Sequence, residues 1–281
     1  MSEALKRIKS YEGAPGLIDI LLEERKLRQT PKRIRATRKH LSATDIADFV
    51  FCPASFAVKN TFEIPVTEEM DTGTILHEKR HLLGFLDNVR AKRVREHDPQ
   101  KNADKDAWVN RGAYGDLLSS DLVFSGHTED VRPFFSKNGK LAGLPDYIFK
   151  RSNGTEFIVE EKHSWQDVIN KPWRTNVVQV LCYLYGIDGR EFDKGYLMYF
   201  SWYWDYGNLR TKNARLFTVF KSQENRSLVA KKFLSTLKLK EQGKVPFNTE
   251  YLYAAKCAGC SCRALCNHKT GRRSELQFPY I

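Results

Sequence analysis

No run of apolar residues in this chain approaches the roughly 18 that a membrane-spanning helix needs. The best candidate, Val178 to Ile187, is short and is interrupted by Gln179. The opening residues, Met1-Ser2-Glu3-Ala4-Leu5, have no long apolar core of the kind a secretion signal carries, so a cytoplasmic protein with no membrane partner is expected. Internal repeats and long low-complexity tracts are also absent. With 281 residues, that leaves one large domain or two small ones, each able to bury a core. Cysteine is scarce and unevenly spaced, with six in the chain. In a reducing cytosol this excludes a disulfide framework and favours metal ligation or free thiols. Acidic residues are outnumbered, 34 against 46 basic, for a net charge of +12. A polyanion such as nucleic acid is the natural partner, although charge alone also serves solubility. Residues 1–40 hold 11 Lys/Arg against 5 Asp/Glu, which is half of the excess, and this concentration favours a binding surface.

Hydrophobic residues make up 41% and charged residues 28%, the balance of a soluble globular protein. Residues 1–40 read as a basic extension. The apolar-rich Ile18 to Leu27 is expected to form a short helix, which Thr30-Pro31-Lys32-Arg33 would break. The main domain, 41–281, starts at Leu41. Ser42 followed by Asp45 predicts a capped helix carrying Ile46, Phe49 and Val50, and Cys52-Pro53 either stops it or begins the next turn. Ile75, Leu76, Leu82, Leu83, Leu86 and Val89 recur at helical spacing and predict a long helix over 67–96. Residues 98–121 are polar and read as an insertion. Leu122–Phe124, Gly143–Lys150 and Glu156–His163 predict strands, the last two joined by a hairpin at Asn153-Gly154. A helix follows over Trp173–Tyr185, then an aromatic hairpin of Gly195–Trp204 and Arg215–Phe220, then a Lys-rich helix over Ser222–Gln242.

Chemistry concentrates on the middle strands. Asp146 is placed in one strand and Glu160 and Lys162 in the next. Period-2 alternation puts Glu160 and Lys162 on one face, and pairing through Asn153-Gly154 lets Asp146 approach them. Two carboxylates can hold Mg²⁺ or Mn²⁺ against a phosphate. Lys162 would orient or deprotonate water, or offset developing charge. The Glu161 carbonyl, rather than its side chain, is an extra candidate metal ligand. Glu-x-Lys alone is common and also fits an exposed hairpin, but Ile158 and Val159 argue for a central strand, where charges are costly without a role. His77 on the upstream helix is a candidate metal ligand, with His81 one turn along as its rival. Gln179 and Tyr183, four apart on one helical face, join the set.

The order Gly73-x-x-x-His77, Gly143-x-x-Asp146, Glu160-x-Lys162, Gln179-x-x-x-Tyr183 resembles the RecB-type branch of the PD-(D/E)xK nuclease superfamily. The resemblance implies an α/β fold with a restriction-endonuclease-like core, a central mixed sheet flanked by helices. It also implies phosphodiester hydrolysis with one or two metal ions and a DNA substrate.

Cys257-x-x-Cys260, with Cys266 beyond it, fits a 4Fe–4S cluster whose remote ligand would be Cys52. Structural zinc on the same four thiols is the rival. Cys262 and Cys182 are expected bystanders, Cys182 as a small buried hydrophobe. With Cys52-Pro53 in front and these cysteines behind, residues 41–268 resemble the iron–sulfur RecB-like nucleases, which include the CRISPR-associated four-cysteine exonucleases and stand-alone relatives in viruses and mobile elements. That resemblance implies an iron–sulfur staple closing the fold, 5′→3′ exonuclease activity on single-stranded DNA, and trimming of spacer precursors beside a CRISPR integrase complex. The alternatives are a stand-alone repair or recombination nuclease and a non-cleaving DNA-binding adaptor, though the complete Asp146, Glu160, Lys162 set speaks against the adaptor. The aromatic run Tyr199–Trp204 is either a stacking surface for unpaired bases or, more commonly, cross-strand packing. Lys231, Lys232, Lys238 and Lys240 either track a phosphate backbone or form a solvated helix face.

Overall fold

From Leu41 onward the chain mixes helices and strands. The computed structural model describes residues 39–64, 82–87, 113–128, 130–164, 169–205, 208–242, 244–245, 260–262, 266 and 276–277. His77, His81, Cys257, the expected helix over Ile18–Leu27 and most of that over 67–96 lie outside the described residues, although 82–87 is helical.

Strand β1 (Leu41–Ser42) leads into α1 (Ala43–Phe51). Ser42 and Asp45 cap this helix reciprocally, as their spacing predicts. The Asp45 N–H donates to Ser42 Oγ at 3.0 Å, and the Ser42 N–H donates to Asp45 Oδ2 at 2.7 Å. Helix α2 (Pro53–Thr61) opens on a proline whose missing N–H costs nothing at that position. Then come α3 (Ala113–Leu118), β2 (Asp121–Ser125), β3 (Phe134–Phe135), β4 (Leu141–Gly143), β5 (Tyr147–Lys150), β6 (Glu156–Ser164), α4 (Arg174–Gly186), β7 (Phe192–Asp205), β8 (Asn208–Phe220), α5 (Gln223–Gln242), β9 (Lys244–Val245) and β10 (Leu276–Gln277). Among the described residues no helix is long and apolar enough to cross a membrane.

The chain divides into two units, one of Lys39–Ala47 with Gly73–Phe233, the other of Met1–Arg38, Asp48–Thr72 and Leu234–Ile281. The first holds a five-stranded mixed sheet in the order β2-β5-β6-β7-β8. β5 and β6 pair antiparallel across the expected hairpin, where Gly154 takes φ 86°, a conformation open to glycine. β6 and β7 pair parallel, with α4 as the crossover between them, and β7 and β8 form an antiparallel hairpin. The hairpin is longer than the apolar pattern indicated, because backbone pairing continues where the side chains turn polar.

A second, small sheet, β1-β4-β3, corrects the reading of Gly143–Lys150 as one strand. The chain breaks at Leu144–Asp146, so β4 and β5 belong to different sheets and Asp146 sits in the bend just before β5. Pro145 supplies the reason, since it has no N–H to donate to a ladder.

Alternation sorts the large sheet into two faces. Under α4 lie Ile158, Glu160 and Lys162, beside their register partners Gly195, Leu197 and Tyr199. The opposite face carries Phe157, Val159, Tyr196, Met198, Phe200 and Trp202, packed with Leu82, Leu86 and Leu117 into an aromatic-rich core. Tyr199, Phe200 and Trp202 are therefore packing residues, whereas Tyr203 is exposed.

One polar hub ties this core's edge together. Asp116 on α3 accepts from Arg151 at 2.9 Å, Lys194 at 2.8 Å and the Tyr196 hydroxyl at 2.7 Å. Burial alone would raise its pKa, but these hydrogen bonds outweigh burial and hold it far below the ordinary 3.8. A depressed carboxylate stabilises the fold above its unfolded pKa, and that contribution is lost as pH falls through the folded value. Asp116→Asn should therefore cost about 1 kcal/mol near neutrality. The melting-temperature gap to wild type should shrink as pH drops below the ordinary carboxylate range; a gap independent of pH would refute the assignment.

In the second unit, α2 carries Lys59, which donates to Asp48 at 2.7 Å, and Phe56, whose ring meets Phe49 edge-on at 6.3 Å. β9 and β10 pair antiparallel.

Candidate active site

The bend before β5 and the middle of β6 bring two carboxylates and an ammonium together. Asp146 is held by main-chain bonds on both sides of its own peptide. The Gly126 N–H donates to its carbonyl at 2.8 Å, and the Glu161 N–H donates to its Oδ2 at 2.7 Å. Its own N–H leans toward Glu160 Oε2 at 3.4 Å. Glu160 Oε1 then accepts from Lys162 Nζ and from Gln179 Nε2, each at 2.7 Å. Gln179 also donates to the Tyr183 hydroxyl at 2.9 Å, which in turn donates to the Leu144 carbonyl at 3.3 Å. The two halves of the sequence pattern are thus physically joined: α4 braces Glu160 through Gln179 and braces the Asp146 bend through Tyr183. Gly143 makes this possible, because a Cβ there would stand 2.7 Å from the Tyr183 ring.

The electrostatics follow from crowding. Burial and then the neighbouring Glu160 charge push the Asp146 carboxyl well above its ordinary range. Burial alone would lower the Lys162 ammonium, but Glu160 and Asp146 more than compensate, so it stays protonated at neutral pH. Burial and Glu160 likewise raise Tyr183, which keeps its proton for Leu144. Two mutually repelling buried carboxylates are what a divalent cation relieves. Mg²⁺ is commonly held through one or two carboxylates and substrate phosphate, so the donor set fits. Among the described residues no group of three or more His, Cys, Asp or Glu side chains is arranged around a metal position.

Glu161 turns the other way, as alternation requires. Its fully buried carboxylate accepts from the Tyr147 hydroxyl and the Leu82 N–H, each at 3.1 Å, and lies 3.1 Å from His163 Nε2. Trp202 Nε1 donates to His163 Nδ1 at 2.8 Å, so a neutral imidazole carries its proton on Nε2, facing Glu161. Sequence reasoning valued Glu161 only for its backbone. His163, two residues on along the same face, was the available signal for this network.

Two further residues were missed. Asn176 donates to the Tyr199 hydroxyl at 2.8 Å, and Tyr199 is the register partner of Lys162. Asn176 lies one turn before Gln179 on the same helical face, which was legible. His127 Nε2 stands 3.6 Å from Asp146 Oδ1 in the turn after β2, where no local pattern marks it.

Of the cysteines, Cys52, Cys260 and Cys266 are half-buried, while Cys182 and Cys262 are buried. Cys262 Sγ lies 3.5 Å from Ser55 Oγ. A hydrogen bond from Cys262 lowers the Cys260 thiol and raises its own.

A family model described as the PD-(D/E)XK nuclease superfamily matches residues 40–267. No curated protein gives a significant match. Among solved structures, the crystal structure of SSO0001 is similar at 15% identity and a TM-score of 0.38, over 90% of this chain and 98% of that one. An alkaline exonuclease from Laribacter hongkongensis, LHK-Exo, aligns at 13% identity and a TM-score of 0.38, over 72% and 88%. Its complex with dAMP aligns at 14% and 0.40, over 71% and 87%. Likenesses this distant leave function to be read from the family match and the site.

Proposed function

Because this chain belongs to the PD-(D/E)XK nuclease superfamily, we propose that it is a metal-dependent deoxyribonuclease, an exonuclease acting 5′→3′ on single-stranded DNA in the manner of the CRISPR-associated four-cysteine enzymes. The observation that carries the reading is the convergence of Asp146, Glu160 and Lys162, with Gln179 and Tyr183 bracing them. Asp146, Glu160 and the main-chain carbonyl of Glu161 would hold Mg²⁺ or Mn²⁺, joined by His77. When bound, such an ion supplies Lewis-acid polarisation of the phosphate and a more acidic water. Lys162, seated 2.7 Å from Glu160 Oε1, would offer positive charge to the oxygen on which charge builds, or orient the attacking water. Gln179 keeps Glu160 from swinging away, and Tyr183 keeps the Asp146 bend against α4. The net charge of +12 suits a DNA partner.

Cys52, Cys257, Cys260 and Cys266 would hold a 4Fe–4S cluster as a structural staple. Partners of this reading are single-stranded DNA or single-stranded ends, and a CRISPR integrase complex.

The test uses anaerobically purified full-length protein with single-stranded DNA labelled at one end or the other. Mn²⁺- or Mg²⁺-dependent degradation that begins at the 5′ end is expected, from brown protein absorbing near 400 nm. A colourless, zinc-loaded protein would replace the cluster assignment. Intact, cluster-loaded protein that binds DNA without turnover would defeat the nuclease reading.

A further inference from the structure

Beside the active centre the chain carries an exposed indole that the catalytic residues do not use. Trp173 is 41% exposed, and Lys171 and Arg174 on either side of it are also exposed. The residue is firmly seated. Its main-chain N–H donates to the Tyr199 hydroxyl at 3.1 Å, and its ring meets the Tyr199 ring edge-on, with centroids 5.8 Å apart at 74°. Tyr199 is itself 1% exposed, gripped by Asn176 at 2.8 Å and packed edge-on against Phe217 at 5.7 Å. It is also the register partner of Lys162 on the α4 face of the sheet. One phenol therefore separates the exposed indole from the catalytic ammonium. At the far end of the same row, past Gln179 and Tyr183, Leu144 is 38% exposed two residues before Asp146. The row from Trp173 to Tyr183 spans about 15 Å of helix.

We infer that Trp173 is a stacking platform for an unpaired nucleobase at the Lys162 end of the active site, with Lys171 and Arg174 meeting the adjoining phosphates. The inference rests on the nuclease reading and names the residue that would grip its single-stranded substrate. Within a duplex each base face is already covered by its neighbours, so an indole can take up a base only where the strand is single. Stacking is indifferent to base identity, because every base has a π-face. The platform therefore selects for strandedness and not for sequence. Its immobilisation by Tyr199 lowers the ordering cost of binding. Cations on both sides suit a strand passing over the ring, and a purely packing tryptophan would have no need of them.

The experiment compares wild type, Trp173→Ala and Trp173→Phe on single-stranded oligonucleotides, intact or with one abasic site moved along the strand. Trp173→Ala should raise KM roughly 5- to 100-fold, leave kcat within about threefold, and be largely rescued by Trp173→Phe. One abasic position should impose the same penalty on wild type and none on Trp173→Ala. Cleavage with unchanged KM, or an abasic penalty equal in both proteins, would overturn the platform and leave the nuclease reading standing. If wild type binds DNA without cleaving, the nuclease reading fails. The platform is then judged by fluorescence anisotropy with the same oligonucleotides, where an affinity unaffected by Trp173→Ala overturns it.

Discussion

Lys162→Ala should abolish cleavage while leaving the protein folded and able to bind DNA. The ammonium sits 2.7 Å from Glu160 Oε1, with its side chain only 18% exposed, so its charge is held at a defined point beside the carboxylates. Its positive charge is fixed before the reaction starts, which is the arrangement that lowers a barrier instead of merely tightening binding. Removing one such group commonly costs about a thousandfold in rate. Single-turnover cleavage should fall by that order, with DNA affinity within a few-fold of wild type and an unchanged circular dichroism spectrum. Lys162→Arg keeps the charge but not the point geometry, and should recover only part of the rate. Near-wild-type turnover by Lys162→Ala would remove this residue from the chemistry.

The neighbouring glutamate should behave in the opposite way. Glu161→Ala leaves the Tyr147 hydroxyl, the Leu82 N–H and the His163 imidazole facing a cavity on the core side of the sheet. Stranding that many buried polar groups costs on the order of 3–5 kcal/mol. The urea midpoint should fall accordingly, with an unchanged slope. Glu161→Gln keeps the volume and some of the hydrogen bonding, so it should lose less than half as much. The main-chain N–H that holds Asp146 survives both changes, so the folded fraction should cleave at close to the wild-type rate. Glu160→Ala differs in activity: it also strands Lys162 and Gln179, but cleavage should be lost even in the folded fraction, because the carboxylate beside Asp146 is gone. If Glu161→Ala were as inactive as Glu160→Ala while fully folded, the division of labour between the two faces would be wrong.

What was legible in the sequence was local. Ser42 with Asp45 gave the cap, Asn153-Gly154 gave the hairpin, alternation put Glu160 with Lys162, and helical spacing put Gln179 with Tyr183. Each depends on residues a few positions apart, whose geometry the backbone dictates. The contacts that could not be read join distant segments. Leu82 to Glu161 and Ser55 to Cys262 have no local signature. The bend at Asp146 was readable in principle from Pro145, but the apolar run of Tyr147–Phe149 outweighed it. The Asn176–Tyr199 bond needed the parallel register of β6 and β7, which no short-range pattern encodes.

Strand β6 places Glu160 and Glu161 side by side in the chain and on opposite sides of the sheet. A slip of one residue would exchange every side chain between the faces. Lys162 and Glu160 would then enter a core built from Phe157's and Tyr196's neighbours, and Val159 would occupy the seat opposite Gln179. Burying an ammonium among aromatic rings without its partners is so costly that such a strand could not settle. The charges of the proposed active centre would therefore also disfavour a mispaired β6 during assembly.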